Sequence, residues 1–98
     1  MKRIYTFGHE QVERNITVGD IIQNKKNNKK MTQVTAANQE EAEIIAKENI
    51  DMIITGSDWY EDVRKGAPNT FITAALFAGR FITNEEILRG AFEVMMAG

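Results

Sequence analysis

The sequence predicts an α/β fold built from parallel βα units. Three observations carry that prediction. Apolar or β-branched runs recur as Met31–Ala36, Asp51–Thr55 and Asn69–Leu76. Each is followed by a helix-start signature: Asn38 before Glu41, Asp58 before Glu61, and Thr83 before Glu86. An N-cap side chain three residues ahead of a Glu satisfies two free backbone N–H groups reciprocally. The three runs are also nearly continuous in apolar character, as strands covered on both faces should be. Strand, capped helix, strand, capped helix, strand, capped helix implies a parallel sheet with crossover helices.

Each element has its own reason. Residues 31–98 form the βαβαβα core, and residues 1–30 an N-terminal strand and helix extension. Lys2–Phe7 reads as a short strand that Gly8 ends. Thr17 is an N-cap with Asp20 three residues on, and the short helix through Ile21 and Ile22 is stopped by Lys25–Lys30. The helix after Asn38 runs to about Asn49, with Ala42, Ile45, Ala46 and Asn49 on one stripe and Ile44 beside it. A short helix after Asp58 ends at Gly66 and Pro68. The last helix places Ile87, Leu88, Ala91, Phe92, Met95 and Met96 on its apolar face, with the methionines as core filling and Gly98 as C-cap. A closed (βα)8 barrel needs about 250 residues. The 98 residues are therefore read as a single domain or the N-terminal part of such a barrel, a partial TIM-barrel-like arrangement of about three βα units.

Composition narrows the chemistry. Apolar residues make up 43% of the chain, enough for a modest core, and the formal charge is −2. That balance gives no electrostatic case for nucleic acid or an anionic membrane. The basic run Lys25–Lys30 has no interleaved aromatic and reads as a solvated connection. There is no cysteine and only one histidine, His9. Thiolate chemistry and disulfides are excluded, and any metal would sit among oxygens, favouring Mg²⁺ or Ca²⁺ over Zn²⁺. His9 has no Ser, Cys or second His near it in sequence. No apolar run reaches transmembrane length and the N-terminus has no signal-peptide core, so a cytoplasmic protein is expected.

In parallel α/β folds ligands meet the carboxyl ends of the strands. Those ends are Thr35–Asn38, Thr55–Asp58 and Ala74–Arg80. Asp58 has two roles open to it, metal ligand or N-cap completed by Glu61. Ser57 reads as a substrate hydrogen-bond donor or a turn residue. Arg80 is a carboxylate clamp or a solvated loop residue. Asn38 adds a polar contact beside a helix N-terminus that favours anions.

The chain resembles the ketopantoate hydroxymethyltransferases, enzymes of the phosphoenolpyruvate/pyruvate-type barrel superfamily. The resemblance rests on Thr17–Ile22, Met31–Ala36, Glu41–Ala46, Ile50–Gly56, Val63–Asn69, Phe71–Leu76 and Asn84–Gly98. Val63-Arg64-Lys65-Gly66-Ala67-Pro68-Asn69 is its most specific block. It implies Mg²⁺-assisted aldol chemistry in pantothenate biosynthesis. The metal chelates a small 2-oxo acid, and methylenetetrahydrofolate supplies the carbon unit. Asp58 would hold the metal, with Ser57, Asn38 and Arg80 toward the substrate. The segment before the Gly-Ala-Pro block is shorter than in the family, the family's later catalytic Glu and Lys have no counterpart in these 98 residues, and two departures fall at the metal ligands. The family's Gly-Asp-Ser is Gly56-Ser57-Asp58 here, and its second metal aspartate falls at Ala75. These departures, with the thin sheet, open a second expectation: a catalytically silent module that self-associates as a homo-oligomer or binds a small anion.

Overall fold

The computed structural model describes residues 1–98. It is a mixed α/β structure with four helices, a two-stranded antiparallel ribbon and a three-stranded parallel sheet. The parallel sheet consists of β3 (Gln33–Thr35), β4 (Met52–Gly56) and β5 (Phe71–Ala75), in the order β3-β4-β5. Ile53 stands opposite Val34 on one side and Ile72 on the other. β3 and β5 are shorter than expected, while β4 keeps five residues, shifted by one from Asp51–Thr55. β4 is the central strand, and only there are alternate residues fully buried. β3 is exposed along its length. The expectation of strands covered on both faces therefore fails: a three-stranded sheet has two edges, and β3 is one of them.

Consecutive strand order puts the two crossover helices on one face of the sheet. These are α2 (Gln39–Ala46) and α3 (Tyr60–Gly66), which pack on each other. They approach so closely at Gly66 that a Cβ there would lie 2.3 Å from the Gln39 carbonyl oxygen and 2.9 Å from the Ala42 Cβ. Between them and the sheet lies the core: Ala36, Ala42, Ile53, Val63 and Ala67, with Ile45 and Ile72 packed against it. α2 stops three residues before Asn49, so Ala46 and Asn49 are exposed and Ile44 faces water.

Three of the four cap signatures form. Thr17 caps α1 (Val18–Lys26) and Thr83 caps α4 (Asn84–Met96), each in a reciprocal box, with Asp20 and Glu86 as partners. Asn38 Oδ1 accepts from the Glu41 N–H at 2.9 Å, while Glu41 accepts from the Ala37 N–H, one residue upstream of the cap. α1 outruns its expected end by entering the lysine run, and breaks where Asn28 takes a positive φ of 55°. Gly98 stands one residue past the α4 cap, Ala97, with a φ of 85°.

The N-terminal strand is half of a hairpin. β1 (Lys2–Tyr5) pairs antiparallel with β2 (Gln11–Arg14), a strand with a single apolar residue, Val12, opposite Ile4. The turn is held by the Thr6 carbonyl and hydroxyl, and the left-handed position falls on His9 (φ 66°) rather than on Gly8. Asn15 fastens the ribbon to the lower end of the sheet: its Nδ2 donates to the Asp51 carbonyl and its Oδ1 accepts from the Phe71 N–H, both at 2.8 Å. An ion pair of Lys2 with Asp20 joins the hairpin to α1. The guanidinium hydrogen bond from Arg14 to the Gly98 carbonyl, 2.6 Å long, reaches the end of α4.

α4 corrects the sequence reading most. Its apolar face was expected in the core, yet Leu88 is 70% exposed and Phe92, Met95 and Met96 are about half exposed. The helix is seated by its other side, where Gly90 lies under the Phe81 ring, and by an edge-on contact of Phe7 with Phe92 at 5.5 Å.

Candidate functional site

β4 runs out at Gly56, and the chain turns through the bond from the Trp59 N–H to the Gly56 carbonyl. That turn delays the next helix. α3 starts at Tyr60 with Trp59 as its N-cap and no side chain capping it. Asp58 is therefore not a cap, contrary to the reading from Asp58 and Glu61. It sits one residue outside the cap, and its carboxylate is bound by the guanidinium of Arg80 from the loop after β5. Both partners stand largely in solvent.

The four sequence-predicted site residues are thus brought together only in part. Asp58 and Arg80 meet directly, with Ser57 adjacent in the chain. Asn38 spends its side chain on its own helix turn: the oxygen caps α2 and the amide nitrogen donates to Glu41 at 3.3 Å. Two hydroxyls at this end of β4, Thr55 Oγ1 and Ser57 Oγ, are buried with no protein partner. Such a hydroxyl costs about 1–3 kcal/mol unless something answers it.

Above Gly56 the site is filled. A Cβ at Gly56 would lie 2.5 Å from Phe77 and 3.2 Å from Trp59. These two rings pack edge to face at 6.2 Å. Phe77 and Trp59 thus lie on the strand end where the resemblance places a substrate.

The donor set at the strand ends is poor for Mg²⁺. It offers one carboxylate, already neutralised by a guanidinium, and position 75 is alanine. No group of three or more acidic or histidine side chains is arranged so that it could hold a metal ion. No family model matches this chain, and no curated protein matches it significantly. No helix is long and apolar enough to cross a membrane.

Sequence reasoning passed over two side chains of electrostatic consequence, Arg14 and Arg64. Arg14 is only 5% exposed and donates to the Glu13, Pro68 and Gly98 carbonyls. Arg64 is half-buried and donates to the Ala67 and Thr70 carbonyls, at 3.0 and 2.7 Å. Burial lowers both pKa values, and the charge of Arg14 adds to the lowering of Arg64, to about 10. The available signal was slight: Arg64 lies one turn after Tyr60, on the side of α3 away from the core residue Val63.

Proposed function

We propose that the chain is a divergent, ketopantoate hydroxymethyltransferase-like βα module that works by self-association in the cytoplasm rather than as a self-contained aldol catalyst. One observation carries this reading. The accessible surface is 6955 Å², whereas a folded monomer of 11.1 kDa exposes about 5,700 Å². The excess, about 1,300 Å², exceeds the roughly 800 Å² that each partner contributes to a standard interface. Its chemistry points to a second copy of the same chain. Leu88, Phe92 and Met95 follow one another at steps of four and three, the spacing of a helix-pairing seam. Glu85, three residues before Leu88, and Arg89, of opposite charge, lie along one side of this stripe, so two copies meet without a block of like charge. A twofold dimer uses one such patch twice. Light scattering across a wide concentration range tests the reading. The wild type is expected to dimerise or assemble further, and Leu88→Glu to remain a folded monomer. A monomeric wild type would refute the reading.

A second reading keeps the family chemistry, favoured by the unpartnered hydroxyls of Thr55 and Ser57 beside Asp58. The strands follow one another in barrel order, and their carboxyl ends would receive a small 2-oxo acid or similar anion. Arg80 would have to leave Asp58 to clamp the acid, and Phe77 to swing off Gly56. The single neutralised carboxylate is a weak Mg²⁺ site, so no step is routed through the metal or through methylenetetrahydrofolate. Calorimetric titration with ketoisovalerate, with and without Mg²⁺, decides this reading: absence of heat at millimolar ligand sinks it. Metal-dependent heat that Asp58→Asn abolishes would support the aldol version, and heat that survives Asp58→Asn the anion-binding version.

A further inference from the structure

Between α3, β5, the hairpin and the end of α4 lies a cavity of about 540 Å³. Twelve of its seventeen lining residues are hydrophobic, among them Ile4, Phe7, Ile72 and Val94. Its polar wall carries two cations, Arg14 and Arg64, and no lining residue is acidic. Neither guanidinium forms an ion pair with an Asp or Glu side chain. Arg64 is held by the main-chain carbonyls of Ala67 and Thr70, and Arg14 by those of Glu13 and Pro68 and by the Gly98 oxygen; a main-chain carbonyl aligns a donor without cancelling its charge.

We propose that this cavity is a binding site for an organic anion with an apolar body, its carboxylate or equivalent head group held by Arg64 and Arg14 and its chain lying against Ile72 and Val94. The volume lies within the range of about 300–1,000 Å³ usual for ligand pockets, and such pockets pair an apolar lining with a few fixed polar groups. An anion would answer an imbalance already present. Two partly desolvated like charges repel each other, and burial works against both. A guanidinium is suited to the task because it binds a carboxylate through two parallel N–H groups. A neutral ligand would fill the volume and leave the charges unanswered. A small anion would answer the charges and leave the apolar walls wet. The site excludes the four candidate strand-end side chains, Asn38, Ser57, Asp58 and Arg80, and shares only Ala74 with the strand ends. It shares Met95 with the proposed seam, whereas Leu88, the seam residue changed in the test, does not line it.

The test is calorimetric titration of the full chain, and of its Leu88→Glu variant, with octanoate, octanol and acetate. Octanoate is expected to bind both chains, at least about tenfold more tightly than octanol or acetate, the value of a hydrogen bond to a charged group. Arg64→Met should weaken octanoate by about tenfold or more. Because that change also frees the Ala67 and Thr70 carbonyls, Ala74→Leu serves as the second variant. It keeps both guanidiniums, adds bulk to the cavity lining and should abolish octanoate binding. Lys29→Gln, an exposed cation outside the cavity, should leave it unchanged. Three results would overturn the proposal: no binding of octanoate, equal binding of octanol, or full binding by Ala74→Leu. Loss confined to Leu88→Glu would place the ligand at the interface between copies and overturn it as well.

Discussion

Asn38, Thr17 and Thr83 each stand three residues before a carboxylate side chain, and each caps its helix. Asp58 stands three before Glu61 and does not cap. The difference is the turn from Gly56 to Trp59, which moves the start of α3 past Asp58 and leaves the carboxylate to Arg80. Two substitutions of similar size should therefore behave differently. Thr83→Ala removes a reciprocal box and should cost about 1 kcal/mol in urea unfolding. Asp58→Asn breaks only an exposed ion pair, worth about 0–1 kcal/mol, and should cost less. The cap residues were legible because capping is local. The fate of Asp58 was not, because Arg80 lies 22 positions away. Asp20 gives a pH prediction. Its pKa is lowered first by the hydrogen bond from Lys2, then by the Thr17 N–H. A carboxylate with a lowered folded pKa contributes stability above its unfolded value of about 3.9 and loses it as pH falls through the folded value. The junction of hairpin and α1 should loosen on acidification below about pH 4. Amide exchange at Thr17 and Asp20 reads this out, and in Lys2→Ala the loss should begin at higher pH.

Among the elements, the parallel sheet and its helices were legible from β-branched runs and cap residues, because both signals lie within a few positions. The β1-β2 ribbon was not. β2 reads Gln-Val-Glu-Arg, with one apolar residue, and its turn uses His9 where glycine or asparagine would have announced it. The face of α4 was read with the right residues and the wrong environment. A 3.6-residue period says that a face is apolar and says nothing of which molecule covers it. Ile44 on α2 is a smaller case of the same limit. Where α2 and α3 do meet, the packing is specific. Gly66 leaves no space for a methyl group against the Gln39 carbonyl, which is main chain and cannot swing away. Gly66→Ala should separate the two helices and cost about 1–3 kcal/mol, despite the better helix propensity of alanine. Gly79, with open space around it, is the control: Gly79→Ala should be close to neutral. Chemical denaturation of the two variants side by side checks the contrast.

At the scale of the whole molecule, only 11 of 98 residues are buried, and the core is five small or medium side chains. The radius of gyration, 13.7 Å, is slightly above the roughly 12.6 Å of a compact chain of this length. A parallel sheet with helices on one face has little to bury, and domains of this size fold with small margins even when well packed. The apolar face of α4 is where the missing burial would come from. If a second copy covers it, folding and association are linked, and the folded state gains stability as the logarithm of protein concentration. The melting temperature of the wild type should therefore rise with concentration, while that of Leu88→Glu should be lower and flat. Calorimetry at two concentrations for each chain measures both slopes. A concentration-independent wild-type transition would mean that this thin core stands without a partner, and the excess surface would lose its explanation as an interface.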